Sequence, residues 1–151
     1  METTLMDKDY VLTDKVSYKV GDPQRGDIVV FHAPPDANCP VGTGCDFIKR
    51  IIAVPGEEVE VRNNGIYVNG ALLDEPYLDA AIQTEAGNFT RGRSITVGPN
   101  EYFMVGDNRP HSSDSRSWGP VDKSQIVGKA FFRYWPAEDV MVIRHQNYAA
   151  Q

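Results

Sequence analysis

Short apolar runs alternate with turn residues along most of this chain, and helical periodicity is scarce. Apolar runs of this length predict β-strands. The predicted strands are residues 10–16, 28–31, 47–54, 58–62, 66–68, 94–97, 102–105, 127–135 and 140–143. Two further segments, residues 78–84 and 123–126, have the spacing of a short helical turn. The sequence therefore predicts a mainly β protein.

Asparagine–glycine pairs divide the predicted strands into hairpins. The segments Asn63-Asn64-Gly65 and Asn69-Gly70 are typical of tight hairpin turns, in which the central residues adopt positive φ. Residues 71–93 are more polar than the strands around them, and we interpret them as an inserted excursion. We expect residues 1–136 to form one domain, and residues 137–151 to form a closing strand and a loose tail.

A polar stretch at residues 106–116 follows the apolar run at residues 101–105. Its Asp, Asn and Ser side chains can hydrogen-bond to their own backbone, which favours an ordered loop. It also carries charges of both signs, at Asp107, Arg109, Asp114 and Arg116. Two interpretations remain open: a salt-bridged surface turn, or a rigid polar scaffold beside an active site whose reactive group comes from elsewhere.

The apolar strand predicted at residues 47–54 carries two charges, on Lys49 and Arg50. Side chains alternate along a strand, so these two point to opposite faces. On an edge strand, such charges serve only to discourage aggregation. On a central strand, desolvation would lower the pKa of a lysine and make it available as a base. Arginine stays charged and cannot take that role.

Composition excludes several classes of function. The chain has 151 residues, is 41% hydrophobic and carries a formal net charge of −6. An acidic chain is a poor general nucleic-acid binder, because phosphate charge must be offset by basic groups. No run approaches the roughly 20 apolar residues of a membrane span, and the polar N-terminus predicts no signal peptide. We expect a cytosolic protein or a soluble piece of an anchored one.

Cys39 and Cys45 lie in a loop that is rich in proline and glycine. They predict either a local disulfide, and hence an oxidising compartment, or two reduced surface thiols. We expect no metal site, because His32 is the one nearby histidine and the spacing does not match a zinc site.

Three stretches, in order along the chain, resemble the boxes of a known family. Residues 1–5, followed by Gly26-Asp27-Ile28-Val29-Val30-Phe31, resemble the remainder of a nucleophile box and the strand after it. Residues 47–57 (FIKRIIAVPGE) resemble the box that supplies a general-base lysine. Residues 106–119, with Gly106-Asp107-Asn108-Arg109 at their start, resemble the most distinctive box. The chain thus resembles a type I signal peptidase of the bacterial or organellar kind.

The resemblance implies a fold and an activity. The fold is an antiparallel β-rich catalytic core with a second β-rich part inserted, and no cofactor is expected. The activity is endoproteolysis of secretory preproteins, in which the signal peptide is removed after a small-residue motif. The catalytic domain would be membrane-associated on the extracytoplasmic or thylakoid-lumen side, with its anchor outside this chain.

The resemblance also implies roles for individual residues. Lys49 would be the general base, and Ser112 would orient it by a hydrogen bond. Supporting roles fall to Arg50, Asp107, Asn108, Asp114 and Arg116.

Two surfaces are implied as well. The preprotein would bind as an added strand, with Leu5, Val30 and Ile52 as candidate walls of the pockets for small side chains, although each could equally be core. The membrane lipid surface would meet aromatic residues of the last long strand, unless these pack in the core. The candidates are Phe131, Phe132, Tyr134 and Trp135.

One departure from the family bears on activity. The nucleophilic serine of the family immediately precedes the methionine that aligns with Met1, so it is absent here, and we expect this polypeptide to be inactive as given. The alternative is a non-catalytic module that binds signal peptides or partner proteins. A LexA-like Ser–Lys peptidase is a further alternative. Such a protein would need a cleavage-site loop in the same chain and usually a DNA-binding module, and the sequence indicates neither. The endoplasmic-reticulum type uses a histidine base, whereas we interpret His32, His111 and His145 as surface residues.

Overall fold

A computed structural model describes residues 5, 9–37, 39, 44–136 and 140–148 of the chain. Its strands form two antiparallel sheets, which confirms the mainly β, antiparallel fold expected from the sequence. The strands are β1 (Tyr10–Asp14), β2 (Ile28–His32), β3 (Asp46–Ala53), β4 (Glu58–Arg62), β5 (Gly65–Val68), β6 (Ala71–Leu72), β7 (Ser94–Thr96), β8 (Glu101–Val105), β9 (Val121–Asp122), β10 (Ile126–Trp135) and β11 (Met141–Val142).

The larger sheet has the strand order β1-β10-β2-β3-β8-β9, and β11 pairs with β10. In the middle of this sheet β2 pairs with β3 along its whole length, from Ile28 opposite Arg50 to His32 opposite Asp46. On its other side β3 pairs with β8 only from Arg50 onward, where Arg50 lies opposite Val105. The first half of β3, up to Lys49, therefore has one strand partner among the described residues.

The smaller sheet has the order β6-β5-β4-β7 and is inserted between β3 and β8. Its hairpins turn where the sequence predicts, with positive φ at Asn63, Asn64, Asn69 and Gly70. The inserted sheet begins at β4, which is earlier in the chain than the predicted excursion at residues 71–93. The division into a domain of residues 1–136 and a closing segment stays a prediction.

Helical structure is confined to short turns within the described residues. The predicted turn at residues 123–126 is present as a 3₁₀ turn, Lys123–Gln125. The one at residues 78–84 is wrong, because this segment has a single turn and then runs irregularly. Two four-residue helices were not predicted, α1 (Ser17–Val20) and α2 (Ser115–Trp118).

The two faces of β3 contribute to different parts of the core. Ile51 packs in a cluster with Val29 and Phe31 of β2, on the face that also carries Lys49. On the opposite face, Ile48 packs beside Val30 in another cluster. Because β3 carries Lys49 and Arg50 between these clusters, both charged side chains are held close to apolar surroundings.

The end of the chain is not the loose tail that the sequence predicts, at least as far as residue 148. Gln146 donates its backbone N–H to the carbonyl of Gly26 at 3.3 Å. Gly26 has φ +92°, and a side chain there would overlap the backbone of Gln146. The tail therefore packs directly onto the turn that precedes β2. Cys39 and Cys45 are joined by a disulfide, the first of the two alternatives left open.

Candidate active site

Lys49 lies at the last position of β3 before the strand pairs with β8. Its side chain is largely removed from water, and the ammonium lies 5.2 Å from the centre of the Phe47 ring. Burial lowers the pKa of Lys49 below its ordinary value of 10.5, although the carboxylates of Asp114 and Asp107 oppose that shift. Among the described residues nothing is hydrogen-bonded to its amine.

The side chains of Lys49 and Ser112 both border the space beside Gly106. A Cβ added at Gly106 would lie 2.9 Å from the Cβ of Ser112 and 3.3 Å from the Cδ of Lys49. Distances under about 3 Å are too short for carbon atoms, so only glycine fits. The missing side chain leaves the space that Ser112 and the stem of Lys49 both border.

The hydroxyl of Ser112 is buried, and its Oγ has no hydrogen-bond partner among the described residues. An unpaired buried hydroxyl costs about 1–3 kcal/mol. A native structure retains such a group where it has a use, and Lys49 is the polar side chain that shares its environment at Gly106. A lysine amine and a serine hydroxyl can form a hydrogen bond with each other.

Arg50 points to the other face of β3 and forms a buried two-point ion pair with Asp107. Its Nε donates to Asp107 Oδ1 at 3.0 Å and its Nη2 to Oδ2 at 2.7 Å. The guanidinium also donates to the carbonyl of Gly26 and stacks 3.8 Å from the Tyr77 ring. Planar pairing of this kind fixes both partners. Arg50 and Asp107 thus anchor the polar loop to β3, next to Lys49.

Asp114 and Arg116 form a second buried ion pair, which closes the loop on itself. Arg116 donates to Asp114 through Nε at 2.9 Å and Nη2 at 2.8 Å. Asp114 also accepts from the backbone N–H of Gly106 at 3.1 Å and caps α2 through the N–H of Arg116. The ion pairs of this loop are therefore buried, unlike those of a surface turn. Asn108 is half-buried at the start of the 3₁₀ turn Arg109–His111.

A third buried arginine, Arg109, was not assigned a role from the sequence. It donates to Thr84 Oγ1 at 2.6 Å and forms a two-point ion pair with Glu75. Its Nη2 also approaches the hydroxyl of Tyr77 at 3.3 Å. Because Glu75 and Thr84 belong to the inserted part of the chain, Arg109 ties that part to the polar loop. Nothing local in the sequence marks a pair 34 residues apart.

The three candidate pocket walls do not come together. Leu5 and Val30 belong to one apolar cluster, in which Ile48 also packs. Ile52 is fully buried in a different cluster, with Val59 and Ile66 of the smaller sheet. A register shift between Ile51 and Ala53 separates it from the regular part of β3. The structure therefore unites two of the three candidates. The remaining box residues, 1–4, lie outside the described part of the chain.

A cleft of about 540 Å³ opens on the Ser112 side of the site. One wall consists of residues from 81 to 87, and the other consists of residues from 109 to 117. No sequence argument predicted this cleft, because its walls are irregular segments that are brought together by Arg109 and Arg116.

The interpretation of all three histidines as surface residues is wrong for His145. His32 and His111 are exposed, but the side chain of His145 is only 16% exposed. Its Nδ1 accepts from the backbone N–H of Ile28 at 3.0 Å. Burial, followed by the neighbouring charge of Lys129, lowers the pKa of His145 from 6.5 to about 4. This follows from the packing of the tail onto β2.

Comparisons with known proteins agree on one class, the peptidases of protein secretion. The family model described as "Signal peptidase, peptidase S26" matches residues 1–135. The chain therefore belongs to the signal peptidase family, peptidase S26.

Individual relatives support the same assignment. A probable signal peptidase I-2 of Synechocystis is 43% identical over 140 residues, which cover 93% of this chain and 61% of that protein. Signal peptidase IB of Staphylococcus aureus is 38% identical over 148 residues, covering 90% of this chain and 73% of that protein. The chain thus spans less than two thirds of the first relative's length.

A solved structure is similar to this fold. The crystal structure of a signal peptidase I from Enterococcus faecalis matches with a TM-score of 0.57 and 33% identity, over 73% of this chain and 97% of that chain. Within the part of the chain that the structure describes, no helix is long and apolar enough to cross a membrane.

Proposed function

We propose that this chain forms the catalytic domain of a serine endopeptidase that removes signal peptides from secretory preproteins, with Lys49 as its general base. The observation that carries the proposal is the approach of Lys49 and Ser112 at Gly106, in a member of the signal peptidase family. Lysine suits this role only when it is neutral, and burial lowers its pKa. Ser112 would hold the amine in place.

The proposed chemistry is acyl transfer with a Ser–Lys pair. A serine Oγ attacks the carbonyl carbon of the scissile peptide bond while Lys49 Nζ takes its proton. Lys49 then gives that proton to the leaving amine as the C–N bond breaks. A water molecule, deprotonated by Lys49, releases the acyl group and restores the serine. The family position of the nucleophile falls immediately before Met1, so the test must place a serine there.

One edge of β3, called free because no described strand pairs with it before Arg50, supports a mode of substrate binding. Residues of β3 before Arg50 pair with β2 on one side and with no described strand on the other. An extended peptide can add to such an edge by main-chain hydrogen bonds. Alternate side chains of that peptide would then point toward the face of Ile48, where Leu5 and Val30 pack. A cleavage motif that has small side chains at two positions of the peptide, with one residue between them, fits that arrangement.

Exposed aromatic residues support association with a membrane lipid surface. Tyr10, Tyr134 and Trp135 line one shallow surface depression, which we call the aromatic patch. Trp135 is 53% exposed. Earlier in β10, Phe131 is also exposed, whereas Phe132 is half-buried. Tyrosine and tryptophan favour the boundary between lipid and water. The domain would then act on the extracytoplasmic or thylakoid-lumen side of its membrane.

A cleavage assay tests the catalytic proposal. The chain with one serine placed before Met1 is mixed in detergent with a peptide that contains a signal-peptide cleavage motif. We expect cleavage after the motif, no cleavage by the Lys49→Ala form, and weak cleavage by the Ser112→Ala form. Lys19→Ala is the matched control, because Lys19 is an exposed lysine of α1. Its rate should be unchanged.

The same assay decides between the proposal and its rival. If the folded, serine-bearing protein binds the peptide without cutting it, the non-catalytic binding module is the better assignment. If Lys49→Ala cuts as fast as its parent, Lys49 is not the base.

Sedimentation with lipid vesicles tests the membrane proposal. The chain should sediment with vesicles, and the double change Tyr134→Ser and Trp135→Ser should weaken this several-fold. Val20→Ser is the control, because Val20 is exposed on α1 outside the aromatic patch. Equal sedimentation of the double variant and the wild type would contradict a membrane role for the patch.

A further inference from the structure

The cleft beside Ser112 has no role in the chemistry described above, yet it is built from firmly held parts. Arg116 Nη1 donates to the carbonyl of Glu85 at 3.1 Å, and the carbonyl of Arg116 accepts from the N–H of Phe89 at 3.0 Å. Gly87 lies so close to the backbone of Arg116 that a side chain would overlap it. Arg109 donates to the hydroxyl of Thr84 in the middle of this wall. The second half of the wall, from Thr84 to Gly87, is thus fixed to the polar loop.

This wall presents unused main-chain groups. Within the described structure, the backbone N–H groups of Gln83, Glu85 and Ala86 have no hydrogen-bond partner, whereas those of Ile82 and Thr84 are paired. Gln83 and Glu85 are exposed. Free donors along an accessible segment are what a bound polypeptide needs for main-chain hydrogen bonds.

Of the three ionisable residues that line the cleft, the only one without a described ion-pair partner is acidic. Its two arginines, Arg109 and Arg116, are buried and neutralised by Glu75 and Asp114. Glu85 also lines the cleft, is exposed, and forms no ion pair with a described residue. A carboxylate in this position favours a basic side chain on the bound polypeptide and disfavours an acidic one.

The position of the cleft relative to β3 suggests which polypeptide enters it. If the signal side of a preprotein occupies the free edge of β3, its scissile bond must lie next to Lys49, at the end of that edge. The edge stops there, because β8 pairs with β3 from Arg50 onward. The chain beyond the scissile bond must therefore leave the sheet past Lys49, and Ser112 lines the cleft on that side.

We propose that the cleft between residues 81–87 and 109–117 binds the first residues of the mature polypeptide, downstream of the scissile bond, and that Glu85 makes it favour basic over acidic residues there. This inference rests on the proposed signal-peptidase function. Glu85 acts here as a specificity-determining residue and takes no part in the chemical step.

Peptide binding to the chain in detergent tests the inference without requiring cleavage. Three labelled peptides share one signal-side sequence. The first ends at the scissile bond, the second continues for six residues that include two lysines, and the third carries two glutamates instead. We expect the lysine peptide to bind about five- to tenfold more tightly than the glutamate peptide at low salt. Added salt should narrow that ratio, because the contacts are exposed.

Variants of Glu85 sharpen the test. Glu85→Gln should reduce the preference to about twofold or less, and Glu85→Lys should reverse it. Glu58→Gln is the matched control, because Glu58 is likewise an exposed acidic residue, and it lies on the smaller sheet, outside the cleft. It should keep the wild-type ratio.

The possible failures are distinguishable. If the signal-side peptide binds but wild type and Glu85→Lys show the same ratio, the inference is overturned while the proposed function stands. If no peptide binds to the folded chain, the proposed function fails and the inference fails with it. A photo-crosslinker placed on the mature side gives a second reading: labelling of residues 81–87 supports the inference, and labelling confined to other segments contradicts it.

Discussion

Arg50 and Asp107 form a two-point ion pair in which the side chains are only 1% and 0% exposed. Asp107→Asn would leave the guanidinium buried with one full charge uncompensated. Breaking a buried pair by removing one partner costs about 3–5 kcal/mol. We expect the free energy of unfolding to fall by about that amount, as measured by denaturant titration.

The exposed pair between Glu60 and Arg62 provides the comparison for this prediction. Both of its side chains are more than 40% exposed. Glu60→Gln removes the same type of charge from a solvated position and should cost about 1 kcal/mol or less. Equal losses for Asp107→Asn and Glu60→Gln would show that burial does not decide the strength of the inner pair.

Lys49 should make the folded protein more stable as the pH rises. Burial lowers its pKa in the folded state below the ordinary 10.5, so the unfolded chain holds the proton more tightly. Below the folded-state pKa, the protein bears the whole cost of a buried charge. That cost is relieved as the pH rises from the folded-state pKa toward 10.5.

The change Lys49→Met isolates this effect, because methionine fills a similar volume without a charge. The variant should be more stable than wild type at neutral pH, and its advantage should shrink as the pH approaches 10.5. Denaturant titrations across this range measure the difference. Lys19→Met changes an exposed lysine and should give no such trend. An advantage that stays constant with pH would contradict a lowered pKa at Lys49.

Local patterns in the sequence predicted the strands and turns well. Alternating residues 58–62 and the turn at Asn63 and Asn64 gave the hairpin of β4 and β5, because period and turn chemistry are both local. The family resemblance predicted the pairing of Asp114 with Arg116, whereas it gave Arg50 a supporting role without naming Asp107 as its partner. Helix α2 was missed because its four residues lie inside a stretch that is rich in loop-forming side chains.

The features that failed depend on contacts between distant parts of the chain. Ile52 was a candidate for either a pocket wall or the core, and only the register shift after Ile51 shows that it packs in the core under the smaller sheet. The pairing of Arg109 with Glu75 depends on how the inserted part folds back. His145 becomes buried only because Gln146 pairs with Gly26. No period or motif in a single sequence encodes such approaches.

Gly106→Ala tests the close approach of Lys49 and Ser112. The new methyl group would lie 2.9 Å from the Cβ of Ser112, so the serine or the loop must move. Overpacking of this kind costs about 1–3 kcal/mol. In the serine-bearing form of the chain, we also expect a loss of cleavage, because Ser112 can no longer hold its place beside Lys49.

Gly44→Ala is the matched change, since no atom of the described residues lies within 4 Å of a Cβ at that position. It should leave both the melting temperature and the cleavage rate near those of the parent. If Gly106→Ala also left the melting temperature and the cleavage rate unchanged, the space at this glycine would have no part in the site.

His145 should make the protein lose stability in mild acid. Its folded-state pKa is about 4 against 6.5 ordinarily, mainly through burial and then through the charge of Lys129, with Asp27 opposing. Protonation of Nδ1 would also break the hydrogen bond that this atom accepts from the backbone N–H of Ile28. The contribution of neutral His145 to the free energy of unfolding is therefore complete above pH 6.5 and is lost as the pH falls toward 4. After a discount for solvent screening, we expect this loss to be about 2 kcal/mol. Denaturant titrations should show that the free energy of unfolding of His145→Gln depends less on pH than that of the wild type. The exposed His111 provides the control, and His111→Gln should keep the wild-type dependence. Parallel pH profiles for all three proteins would contradict a lowered pKa at His145.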